Sequence, residues 1–156
     1  MNTKVKFLGL GIVTILGVLA GAGWYAQQPD MPNPNLVTVY KTPTCGCCSK
    51  WVDHLRDSGF EVDVKNRDSL VSVRAQYGVP DKLASCHTAH IGGYAVEGHV
   101  PATDIRRLLS QRPVAAGISV PAMTAGSPGM EVEGRSDPYQ VILFGPEKSS
   151  VYAVYP

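Results

Sequence analysis

Residues 36–51, LVTVYKTPTCGCCSKW, carry the tightest constraint on how this chain can fold. LVTVYK alternates around β-branched and aromatic residues, as a half-buried strand does, and Thr42-Pro43-Thr44 breaks it. Trp51, Val52 and Leu55 then recur at helical spacing, and Gly59 supplies a C-terminal stop. Cys45, Cys47 and Cys48 therefore fall where a strand hands over to a helix. There the unpaired N–H groups and partial positive charge of the helix start favour thiolate.

The elements that follow fit one α/β domain. FEVDVKN (60–66) reads as a second strand and DSLVSVRAQYG (68–78) as a second helix. SCHTAHI and YAVEG read as two strands joined through Gly92-Gly93, and PATDIRRLLSQR as a third helix with Pro101 in its first turn. The order β-α-β-α-β-β-α is that of a thioredoxin-like domain. A Gly/Pro-rich loop, GISVPAMTAGSPGMEVEG, and a C-terminal β-hairpin extension, YQVILFG with SVYAVY, complete it.

Ahead of this domain, Lys4 and Lys6 precede an uncharged run from Phe7 to Ala26. Residues 1–26 read as a signal peptide or an N-terminal membrane anchor, with Ala20-Gly21-Ala22 as a small-residue cleavage site if the run is cut. The lysines before the run, with no acid before Asp30, set the N-terminus in the cytoplasm and everything after the run outside it, so the body of the chain is exported. Residues 27–35, QQPDMPNPN, form a linker, and 36–156 form the folded, thioredoxin-like domain. Without residues 1–22 the chain keeps 12 basic and 13 acidic residues, which removes any electrostatic case for nucleic acid.

All four cysteines and all four histidines lie between positions 45 and 99. Cys45 and Cys48 make a C-x-x-C, which suits a redox disulfide and half of a metal site equally. Cys47 favours metal, because a third thiol beside a redox pair invites scrambling, whereas bridging thiolates increase the number of soft Cu(I) ions held. If SCHTAHI pairs antiparallel with both LVTVYK and YAVEG, Cys86, His87 and His99 share the cysteine end of the sheet and His90 lies toward the other. His54, two helical turns beyond Cys47, reads as a surface residue. Asp104 reads as a first-turn acid of the third helix. Met123 and Met130 are candidate thioethers on the Gly/Pro-rich loop.

Taken together, TPTCGCCSKWVDHL, VPDKLASCHTAHIGGYAVEGHVPATDI and GSPGME resemble the thioredoxin-like, periplasmic copper-resistance proteins of the CopG type, over about Val37 to Tyr155. The resemblance implies an exported protein that binds copper through a cysteine-rich site beside other periplasmic copper-handling proteins. By matching positions it implies Cys45, Cys47, Cys48, Cys86, His87, His99 and Met130 as metal ligands. In this chain Ala122 and Thr124 stand where that pattern has a glycine and a proline around Met123.

The expected function is thus a periplasmic copper-binding protein of copper tolerance, holding Cu(I) in a cysteine-bridged polynuclear site, with copper redox cycling as a further activity. Two alternatives stand beside it. One is a thiol-disulfide oxidoreductase using Cys45 and Cys48, the other a structural zinc site of thiolates with or without an imidazole. Ser85-Cys86-His87 occupies the place where a thioredoxin presents its cis-proline loop, which favours ligation over disulfide exchange. The expected partners are copper ions and other copper-handling proteins, with the membrane involved only through the N-terminal segment.

Overall fold

The computed structural model describes residues 33–156, so the signal or anchor reading of 1–26 and most of the 27–35 linker lie outside the described residues. Asn33–Pro156 forms one compact unit. Its elements are β1 (Leu36–Lys41), α1 (Gly46–Asp57), β2 (Glu61–Asn66), α2 (Val71–Gln76), a 3-10 turn (Asp81–Leu83), β3 (His87–Ile91), β4 (Tyr94–Glu97), α3 (Ala102–Gln111), β5 (Gly117–Ser119), β6 (Tyr139–Phe144) and β7 (Ser149–Tyr155). Through α3 this is the β-α-β-α-β-β-α order read from the sequence. The seven strands form one sheet in the order β2-β1-β3-β4-β5-β6-β7.

β1 runs parallel to β2 and antiparallel to β3, with Lys41 opposite His87 and Thr38 opposite His90. β3 and β4 are antiparallel, with Thr88 opposite Glu97. This register puts the end of β1, the start of β3 and the end of β4 together at one edge. The predicted split of the histidines follows: His87 and His99 lie at the cysteine end, and His90 stacks on Tyr77 at 4.7 Å on the opposite face from His87.

The main core lies between the sheet and the helices α1 and α3. Trp51, Val52 and Leu55 of α1, with Ala102, Ile105 and Leu108 of α3, pack on Val37, Val39, Ala89, Val96 and Ile118. A smaller cluster of Val79, Leu83, Ala95 and Phe144 covers the other face. Trp51 is fully buried, and its indole N–H finds the Val100 carbonyl at 2.8 Å.

The C-terminal hairpin is continuous with the sheet. β5, a three-residue strand inside the Gly/Pro-rich stretch, pairs parallel with β4 and antiparallel with β6, and so joins β6 and β7 to the domain. Asp104 does more than offset a helix dipole. It is buried, and it accepts from Tyr155 of β7 at 2.7 Å and from Arg107 at 3.0 Å, which ties α3 to the hairpin.

At Ala122, where the resemblance implies a glycine, the backbone is left-handed, with φ of 62°. Alanine in that region pays a Cβ clash that glycine avoids. Ala122→Gly is therefore expected to stabilise the fold by about 1 kcal/mol, read as a rise in the urea midpoint at unchanged slope; an unchanged or lower midpoint would contradict this.

Candidate metal centre

Cys45 is the N-cap of α1, and its sulfur accepts from the Cys48 N–H at 3.4 Å. That position sets the three cysteines on the first turn, with Cys45 and Cys47 half-buried and Cys48 wholly buried. Cys45 and Cys48 are joined by a disulfide, while Cys47 and Cys86 are free thiols. Cys47 Sγ sits 3.6 Å from Cys45 Sγ. Cys86 approaches from the start of β3, where its carbonyl oxygen lies 3.6 Å from the disulfide-bonded Cys48 sulfur. All four sulfurs lie within 4.8 Å of one another.

A second group shares Cys86: its sulfur with one nitrogen each of His87 and His99, again within 4.8 Å. His99 Nε2 lies 3.1 Å from Cys86 Sγ and His87 Nδ1 lies 3.4 Å from it. The other nitrogen of His99, Nδ1, donates to the Pro128 carbonyl at 2.8 Å, which leaves Nε2 as the lone-pair nitrogen facing the thiol. His87 is wholly buried against Trp51, with ring centroids 4.3 Å apart, and its Nε2 has no hydrogen-bond partner.

The Gly/Pro-rich loop closes over this edge. Gly126 N–H donates to the Met130 carbonyl and Met130 N–H to the Ser127 carbonyl, forming a tight turn. At Gly129, φ is 82° and a Cβ would lie 2.7 Å from Trp51 N and 2.9 Å from Cys47 O, so only glycine lets the loop rest on the first turns of α1. Met130 is thereby half-buried beside the cysteine helix, whereas Met123 is 57% exposed.

Sequence reasoning missed three residues here. His54, read as a surface residue, is half-buried and accepts the Ala102 N–H at 3.1 Å, satisfying an otherwise open donor at the start of α3. Its removal by His54→Ala should cost about 1 kcal/mol, the usual worth of a helix N-terminal acceptor, as a drop in melting temperature; no drop would mean that water replaces it freely. Glu97 and Arg74 form an ion pair at 2.9 Å behind the sheet, with Glu97 fully buried. An acid in the apolar strand YAVE was the available signal for Glu97.

Burial also sets the proton chemistry. It pushes the Cys86 thiol up to about 12, aided by the neighbouring Cys47, so at neutral pH Cys86 carries its proton. Burial, helped by the adjacent His99, holds His87 well below its ordinary 6.5. Desolvation likewise lowers His54, His90 and His99. Groups that stay neutral in the folded state but protonate when unfolded remove stability as pH falls through the unfolded value of about 6.5. The metal-free protein should therefore have a lower urea midpoint at about pH 5.5 than at about pH 7.5, with the decline levelling off below the folded-state values; a flat profile would contradict the burial of these rings.

A thioredoxin-like α/β domain that gathers four cysteine sulfurs and two imidazoles at the edge where its first strand meets its first helix defines a metal-binding class of protein. A family described as a protein of unknown function, DUF411, matches residues 83–130, the stretch that holds Cys86, His87, His99 and Met130. No protein with a curated description matches. Two solved structures of the copper resistance protein CopG, forms 1 and 2, each share 42% identity with the chain and superpose with a TM-score of 0.75. The alignments cover 80% of this chain and 100% (form 2) and 99% (form 1) of those chains. The chain belongs to the CopG family of copper resistance proteins.

Proposed function

We propose that the protein is an exported copper-binding component of a copper-tolerance system, holding Cu(I) in a polynuclear site bridged by cysteine sulfur. The observation that carries this reading is the donor set: four sulfurs and two imidazole nitrogens in two groups that share Cys86. One tetrahedral ion uses four ligands. Six soft or borderline donors around a common thiolate suit more than one Cu(I), which favours sulfur and imidazole. The proposed ligands are Cys45, Cys47, Cys48, Cys86, His87 and His99, with Met130 completing the set from the loop.

In this reading residues 1–26 export or anchor the chain, 27–35 link it, and 36–156 work in the periplasm. There other copper-handling proteins deliver or accept the ions, and the cluster also serves copper redox cycling. X-ray absorption at the copper edge of the loaded protein should show sulfur-dominated coordination with a short copper–copper path; coordination by oxygen and nitrogen alone would overturn it.

The Cys45–Cys48 disulfide supports a second reading, a thiol-disulfide oxidoreductase. That reading requires metal-independent insulin reduction that survives loss of Cys47. The four-sulfur group by itself also suits structural zinc, which would leave both imidazoles without a role. Zinc content after purification, with unfolding on its removal, distinguishes that case.

A further inference from the structure

The buried ion pair behind the sheet reaches the metal edge through a single peptide. Arg74 of α2 uses two nitrogens of its fork: Nε donates to Glu97 Oε1 at 2.9 Å, and Nη2 donates to the carbonyl of Ser85. The same Glu97 oxygen accepts the N–H of Ser85 at 2.7 Å, and its other oxygen accepts the Thr88 hydroxyl at 2.6 Å. Both backbone groups of Ser85 are therefore held by one ion pair.

Two further contacts close the clamp. The Ser85 hydroxyl donates to the Ala122 carbonyl, fixing the segment to the loop. Gly98, with φ of 71°, packs so closely that a Cβ there would lie 2.6 Å from Ser85 Oγ and 2.4 Å from the Val120 carbonyl. Ser85 immediately precedes Cys86, the residue common to the sulfur group and the imidazole group. Ser85 and Cys86 precede β3 and lie outside its ladder, so strand pairing alone does not set where the thiol points.

We infer that Arg74 and Glu97 are positioning residues that clamp the Ser85 peptide and so aim the Cys86 thiol at Cys47, Cys48 and His99. A buried carboxylate paired with a guanidinium is a poor source of net stability, since desolvating the charges offsets most of their attraction. It is an effective source of geometry, because the planar fork fixes two acceptors at once. A purely apolar packing at this place would leave the Ser85 N–H and C=O without partners.

The test uses Arg74→Lys, which keeps the charge but loses the planar fork whose Nε and Nη2 are fixed on the two acceptors, together with Glu97→Gln as the milder variant should the first not fold. The primary readout is independent of metal: the iodoacetamide alkylation rate of Cys86 in the reduced, metal-free protein, followed by mass spectrometry. A rise of about tenfold, the signature of local opening, is expected, with urea midpoints and the Cys47 rate close to wild type. The second readout is Cu(I) affinity against a competing chelator, which rests on the proposed function and should fall about 10–100-fold, as for loss of an outer-shell support.

Cys86 alkylation within twofold of wild type in the folded variant would overturn the inference. So would a rise matched by an equal rise at Cys47 and a general loss of stability, which would make the pair a support of the fold only. Wild-type protein that binds no Cu(I), with Cys86 still exposed by Arg74→Lys, would sink the copper reading and leave the clamp standing.

Discussion

Replacing Cys47 by serine is expected to lower the Cu(I) held per chain at saturation and to weaken the remainder by more than the 10–100-fold typical of losing an outer-shell partner. Cys47 is the thiol that a redox C-x-x-C does not need, yet its sulfur lies 3.6 Å from Cys45 and within the four-sulfur group. A hydroxyl is a hard donor with little affinity for Cu(I). The fold should tolerate the change, because Cys47 is only half-buried and substitutions at such positions usually stay within about 0.5 kcal/mol. Chelator competition alongside a thermal melt separates the two effects. Equal Cu(I) capacity in the variant and the wild type would remove the bridging model.

Oxidation state is expected to have an effect of similar size. With Cys45 and Cys48 in a disulfide, two of the four sulfurs cannot ligate as thiolates, and an oxidising compartment favours that form. Untreated protein should take up little Cu(I), and reduction by a phosphine before loading should restore full capacity. Because burial holds the Cys86 proton with a pKa of about 12, metal must displace it. Affinity should then rise about tenfold per pH unit for each thiol proton released. This is measured as proton release in weak buffer during Cu(I) addition. Uptake independent of both reductant and pH would contradict the account.

Much of this edge was legible in the sequence because short-range patterns fixed it. LVTVYK alternates, Thr42-Pro43-Thr44 stops it, and the register that follows from two antiparallel pairings brings Cys86 and His87 to Cys45, Cys47 and Cys48. What escaped was tertiary. β5 spans only Gly117–Ser119 in a Gly/Pro-rich stretch, too short for a period to show, and so the hairpin read as an appendage rather than as the far side of the same sheet. The second helix, Val71–Gln76, is shorter than 68–78 implied.

His54 looked solvated because its partner, the Ala102 N–H, is 48 residues away, and no local spacing announces such an acceptor. The Arg74–Glu97 pair was hidden for the same reason, with Arg74 alone resembling any helix arginine. The departure at Ala122 was visible in the sequence, but its left-handed backbone only in the fold.

The most direct test of the central claim is an anaerobic titration of the reduced protein with Cu(I) against a competing chelator, counting metal per chain and free thiols together. The account predicts more than one Cu(I) per chain with all four thiols protected. One weakly held ion or none, with a Cys45–Cys48 disulfide that cycles readily, would contradict it and make the oxidoreductase the better description.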